Sequence, residues 1–134
     1  MASDDTERFR ERYAISGAAA MLAAEVDALG TDYQANGYTT MAQADDVGSE
    51  LALRRRRTLL DVGAGCGWPG LHLAKTLGCS VVSLDSVLDG VRVARRRAAS
   101  DGIAERSWQL CASADALPLR PQSVDAIVHA DVLC

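Results

Sequence analysis

Apolar side chains fall in two rhythms along the chain, and the rhythm changes near residue 57. Over residues 5–29, Ile15, Ala18, Leu22, Val26 and Leu29 recur at steps of three and four, which predicts a helix with an apolar stripe turned inward. Gly17 is placed to divide that helix in two, and Gly30 to end it. The segment "GTDYQANGYTT" at 30–40 is polar and holds the turn residues Asn36 and Gly37 beside Tyr33 and Tyr38. Met41, Ala44, Val47 and Leu51 predict a further amphipathic helix over 41–53. After residue 57, short apolar runs alternate with helical ones. "TLLDV" at 58–62, apolar on both faces, reads as a buried strand, and "PGLHLAKTLG" at 69–78 as a helix closed by Gly78. "SVVSLD" at 80–85 is a second strand, and "VLDGVRVARRRAASDG" at 87–102 a helix with an exposed basic side. "SWQLC" at 107–111 is a third strand, and a connection with Pro118 and Pro121 leads to "VDAIVHA" at 124–130, the fourth. This alternation predicts an α/β fold, a doubly wound parallel sheet with right-handed crossovers over residues 58–134, behind an N-terminal helical cap over 1–57.

In such sheets the ligand crevice lies beyond the carboxyl ends of the strands, and the first strand-to-helix turn is its floor. Here that turn belongs to "LLDVGAGCGWPG", residues 59–70. Gly63, Gly65 and Gly67 leave the backbone bare, so a ligand can touch it directly. Pro69 suits the first turn of the following helix, where its missing N–H leaves nothing unpaired. Two ligand classes compete for the turn. Gly65, Gly67 and Gly70 satisfy the dinucleotide spacing GxGxxG, with Asp85 in the position of a ribose-binding carboxylate, which suits NAD and an oxidoreductase. Asp61, at the strand end, argues otherwise. A carboxylate repels a pyrophosphate and attracts a ligand that carries an amino group and a sulfonium charge.

"LLDVGAGCG", then "VVSLD", then "ASADALPLRPQSVDAIVHADVL", in this order, resembles the N-terminal half of a class I S-adenosylmethionine-dependent methyltransferase over about residues 58–134. "ANGYTTMAQADDV" resembles the cap of some small-molecule members of that family. The resemblance implies S-adenosylmethionine as cofactor. It places Gly63, Ala64 and Gly65 beneath the methionine and ribose portions, and Asp61 facing the amino group. Asp85 would accept from the ribose hydroxyls, with Ser86 along the adenine edge. Asp115 would meet the adenine amino group beside the Ala114 backbone, and His129 and Ala130 would stand near the methyl group. Tyr38 or Thr39 would close over the carboxylate. Plain structural roles stand beside these: Asp61 and Asp85 as caps of the turns that follow them, Asp115 as a loop carboxylate, and His129 as a packed histidine. Trp68 reads as seating the helix against the cap. No catalytic acid or base is implied, because the driving force of methyl transfer resides in the cofactor. Members that methylate nucleobase or glutamine amino groups carry an Asn or Asp, Pro, Pro, aromatic run after the fourth strand, where this chain has "HADV", so the implied acceptor is a small molecule. The family's sheet is ordered 3-2-1-4-5-7-6, and the 3-2-1-4 half is what this sequence accounts for, which predicts a truncated or split enzyme. Its fourth strand becomes an edge, open to a homodimer partner or a complementing second chain. A non-catalytic interaction protein that keeps the fold is the remaining alternative.

Charge and composition narrow the partners. The net charge of −4 and an aromatic content of 4% disfavour a general nucleic-acid binder, which needs a basic face and stacking rings. Two arginine clusters, Arg54 to Arg57 and Arg92 with Arg95, Arg96 and Arg97, read as a cationic helix end and a solvated helix face, or else as a patch for an anionic partner. Cys66, Cys79, Cys111 and Cys134 show no CxxC pairing, so no metal site is expected. With no signal peptide and no long apolar run, the expected setting is the cytoplasm, with free thiols and no membrane partner.

Overall fold

The computed structural model describes residues 4–132, so Cys134 lies outside the described residues. Three helices lead the chain: α1 (Asp4–Ser16), α2 (Ala19–Leu29) and α3 (Met41–Glu50). Then β1 (Thr58–Val62), α4 (Gly70–Leu77), β2 (Ser80–Asp85), α5 (Leu88–Ser100), β3 (Ser107–Cys111) and β4 (Ala126–Val128) follow. The four strands are parallel and ordered β3-β2-β1-β4. That is the order expected from the sequence. The helix stops read from glycine hold as well, since Gly30 and Gly78 both take left-handed conformations and return their N–H groups to Val26 and Ala74. Thr40 and Gln43 start α3 with reciprocal side-chain bonds to backbone N–H groups.

Odd positions of β1 and β2 turn towards α4 and α5, where Leu59 and Val81 pack with Leu71, Leu73, Ala74, Ala94 and Ala98. Even positions form a second cluster of Leu60, Val62, Val82 and Leu84. Among the described residues this second face is covered only in part, by Leu110 of β3 and by Ala112, Leu119 and Val124 of the 112–124 connection. No helix among the described residues is long and apolar enough to cross a membrane.

The cap is fastened by polar contacts more than by its apolar stripe. Tyr33 stacks obliquely on Trp68 with ring centroids 5.4 Å apart, and its hydroxyl donates to Asp101 at 2.7 Å. Arg97 lies over the Tyr33 ring at 3.7 Å and bonds Asp32 and Asp101. Burial disfavours the charge on Asp101, but Tyr33, Lys75 and Arg97 together outweigh it and hold the carboxyl below the usual range.

Three expectations are corrected. The stripe of Ile15, Ala18, Leu22, Val26 and Leu29 is not an inward face: Ile15 is 59% and Val26 52% exposed. The turn at Gly17 separates α1 from α2, and the buried positions are Tyr13, Ser16 and Glu25. Glu25 is buried because its carboxylate accepts the backbone N–H of Ala35 at 3.0 Å, so α2 is anchored by a polar bond. The basic side of α5 is not wholly solvated, since Arg97 turns in onto Tyr33. β4 is shorter than the run 124–130: it spans Ala126–Val128, and just before it Asp125 meets Thr58 twice, its N–H donating to the Thr58 carbonyl and its side chain accepting the Thr58 N–H, both at 2.8 Å.

Candidate functional site

The site is built where β1 ends. Beyond Val62 the chain turns back, and the N–H groups of Gly63 and Ala64 both donate to the Leu84 carbonyl at 2.8 and 3.0 Å. This hooks the turn across the end of β2. Gly63 (φ 72°) and Gly65 (φ 54°) hold left-handed conformations that side chains resist. Asp85, at the end of β2, accepts the Gly65 N–H at 2.8 Å through one oxygen and the Val87 N–H at 2.9 Å through the other. The two predicted ligands, Gly65 and Asp85, are thereby joined directly. Burial pushes the Asp85 carboxyl up, against the pull of those two donors.

Asp61 is 1% exposed and accepts the Gly70 N–H at 2.8 Å, at the start of α4. Burial pushes its carboxyl up to about 8, opposed by the Gly70 bond and reinforced by the negative charge of Asp85. A Cβ at Gly70 would lie 2.6 Å from the Asp61 oxygen, so only glycine admits this contact. The arrangement bears on the dinucleotide spacing: the helix end that would meet a pyrophosphate is already met by a carboxylate.

Across β1, Asp61 is in register with Val128, which brings the end of β4 alongside. His129 follows, its ring Nδ1 3.3 Å from the Val62 carbonyl. His129 and Ala130 line a cavity of about 510 Å³ together with Tyr38, Thr39, Gln43, Asp46, Val47 and Asp131. Thr39, rather than Tyr38, is the fastened residue of that pair. Its N–H and hydroxyl both donate to Asp131, at 3.0 and 2.7 Å, and its carbonyl accepts from the Trp68 indole at 3.0 Å. Tyr38 stands at the cavity with 82% of its surface exposed.

On the other side of the turn, Ser86 is exposed, and its carbonyl accepts the Cys111 thiol at 3.7 Å. Ala112 donates to the Asp85 carbonyl, so the ends of β2 and β3 are tied together. Ala114 and Asp115 follow on an exposed helical turn, capped by the Ser113 hydroxyl, which accepts the Asp115 N–H at 3.2 Å.

Three residues at the floor were not anticipated. Tyr13 of α1 lies on the glycine turn, its hydroxyl 3.0 Å from where a Cβ of Gly65 would be. Val132 covers Gly63, with a methyl 2.5 Å from the corresponding point there. Asp131 holds the cap. The spacing of Tyr13 and Ser16, one helical turn apart and just before Gly17, was the available signal for the buried face of α1.

A family described as a methyltransferase domain matches residues 59–134. Solved structures of similar fold include an S-adenosylmethionine-dependent methyltransferase from Thiobacillus denitrificans in complex with S-adenosyl-L-homocysteine. It is 23% identical with a TM-score of 0.60, over 67% of this chain and 36% of that one. Geranyl diphosphate C-methyltransferase from Streptomyces coelicolor A3(2), in complex with Mg2+, geranyl diphosphate and S-adenosyl-L-homocysteine, is 21% identical with a TM-score of 0.61, over 66% and 33% of the two chains. An RNA methyltransferase from Salinibacter ruber, in complex with S-adenosyl-L-homocysteine, is 24% identical with a TM-score of 0.54, over 56% and 49%. The chain therefore spans between a third and a half of the length of these structures. None of the curated proteins matches it.

Proposed function

The chain belongs to the methyltransferase-domain family, and from that premise we propose that it binds S-adenosylmethionine on the glycine turn for methyl transfer to a small-molecule acceptor. The observation that carries the reading is the pair of carboxylates, Asp61 and Asp85, at neighbouring strand ends, each bonded to a backbone N–H of the glycine segment that runs from β1 into α4. The residues present fit the group. A buried carboxylate whose charge is disfavoured gains from a nearby cation, which suits Asp61 to an amino and sulfonium ligand. Asp85 spends one lone pair per oxygen on backbone donors and keeps capacity for hydroxyls. Ser86, Ala114 and Asp115 serve the adenine end, and Gly63, Ala64 and Gly65 the floor.

When bound, the cofactor supplies an electrophilic methyl group that a nucleophile displaces in line, with a neutral thioether leaving. The chain's own part is to orient and to exclude water. Thr39, fixed between Asp131 and Trp68, brings the cap to the methyl side, and Tyr38, His129 and Ala130 border the space left for an acceptor. A cavity of about 510 Å³ is of small-ligand size. Asp46 and Asp131 border it and no lysine or arginine does, which leaves a nucleic-acid backbone without a counter-charge there. This supports the small-molecule acceptor, and a cytoplasmic setting is part of the same proposal. The outer edge of β4 is assigned to a partner strand, from a second copy or a complementing chain.

Calorimetry separates this reading from the nicotinamide one. S-adenosylhomocysteine is expected to bind the full chain and NADH not to. Asp85→Asn, which keeps an acceptor for Gly65 or Val87, is expected to weaken S-adenosylhomocysteine binding about tenfold, roughly 1.4 kcal/mol, with an unchanged circular dichroism spectrum. Binding of NADH alone would overturn the proposal.

A further inference from the structure

A second cleft, of about 750 Å³, opens between α1 and α5, with Tyr13, which also lies on the glycine turn, in its lining. Arg10, Tyr13 and Ala14 of α1 line one side, with the small Gly17 and Ala18 of the turn that follows, and residues of α5 line the other. Three guanidinium groups, of Arg10, Arg92 and Arg96, border it, against the single carboxylate of Asp89. Asp89 is shared between two of them, at 3.1 Å from Arg10 and 3.6 Å from Arg92. Glu7, which is not part of the lining, approaches Arg10 only to 3.8 Å. Among the described residues Arg96 makes no ion pair within 4.0 Å. The Gln34 amide adds donor capacity, its oxygen already bonded to the Ser16 hydroxyl at 3.0 Å.

We propose that this cleft binds the phosphate group of a small phosphorylated molecule, at a site separate from the cofactor floor. The lining is rich in donors and poor in acceptors, and it leaves an excess of two positive charges in a chain whose net charge is −4. A phosphate dianion matches that excess, and its tetrahedral oxygens can meet more than one guanidinium fork at once. A monocarboxylate would leave one charge unmatched. Ala14, Gly17 and Ala18 leave room beside the guanidinium groups, and the sign of the cleft is opposite to that of the acidic cavity beside β4. The inference is independent of the methyl-transfer reading, since Tyr13 is the one lining residue that also touches the glycine turn, and the arginines that would hold the phosphate do not.

The test is a calorimetric titration of the full chain with inorganic pyrophosphate and with a short RNA oligonucleotide, at about 0.15 M salt, where exposed charges further apart than roughly 8 Å are screened. Pyrophosphate is expected to bind saturably at one site. Arg96→Ala, a change at an exposed side chain, should weaken it by about tenfold. Arg95→Ala, on the same helix but outside the lining, should leave it unchanged. S-adenosylhomocysteine titrations of the same variants should be unaffected, so failure here is distinguishable from failure of the cofactor reading. Absence of saturable binding, equal losses in the two variants, or RNA binding more tightly than pyrophosphate would overturn the proposal.

Discussion

Asp61 shows how one buried side chain ties stability to ligand affinity. Its carboxyl is raised by burial first, then by the charge of Asp85, to about 8, while the same group in an unfolded chain titrates near 3.9. Between those values the native state holds a proton that the unfolded state has released. The contribution to stability is therefore fully present below about pH 4 and is lost as pH rises through about 8. Thermal melts of the free protein should show a falling midpoint from pH 5 to 8. Asp61→Asn, which keeps an acceptor for the Gly70 N–H, should flatten most of that slope, with Asp85 supplying the remainder because its carboxyl is raised too. The cofactor reading adds the opposite trend for the ligand. The ammonium group of S-adenosylhomocysteine favours ionised Asp61, so this ligand should bind more tightly as pH rises over the same interval, and Asn at this position should remove the dependence. A flat melting profile, or affinity that falls with pH, would contradict this account. Asp61 and Asp85 were legible in the sequence because strand ends and glycine spacing point to them. Tyr13 was not, because an aromatic in a charged helix carries no mark of which distant turn it will cover.

At the level of elements, the strand-helix alternation after residue 57 was legible throughout, since period and glycine stops agree at each step. The cap was legible as helices and not as packing. Its apolar stripe predicts burial that the turn at Gly17 prevents, and the anchors are polar pairs such as Glu25 with Ala35 that periodicity does not detect. The contact of α1 with α5 turns on Gly90. A Cβ there would sit 2.8 Å from the Tyr13 ring and 2.9 Å from the Gly65 carbonyl oxygen. In an isolated helix, glycine to alanine gains about 1 kcal/mol. Here the backbone of the glycine turn cannot yield without disturbing the Gly65–Asp85 bond. Gly90→Ala should therefore lower the melting temperature and weaken S-adenosylhomocysteine binding together. A variant more stable than wild type would show that α1 is displaced at little cost.

The sheet as a whole is finished unevenly. One face carries α4 and α5, and on the other Trp108 and Ile127 flank the Leu60, Val62, Val82 and Leu84 cluster with 51% and 56% of their surfaces exposed. β4 is also an edge among the described residues, with a row of backbone groups facing outward and an apolar side chain at its centre. Parallel sheets are ordinarily covered on both faces, and an open apolar edge is a template for another strand. The proposal of a partner strand on β4 rests on these two observations, one of hydrogen bonds and one of apolar cover. Sedimentation of the purified chain should show association that grows with concentration. Ile127→Lys, at a side chain already half exposed, should cost no more than about 0.5 kcal/mol of folding stability, yet it sets a charge on the edge and should shift the chain to monomer. A wild-type chain that stays monomeric at every concentration would overturn the proposal of a second copy as the partner strand.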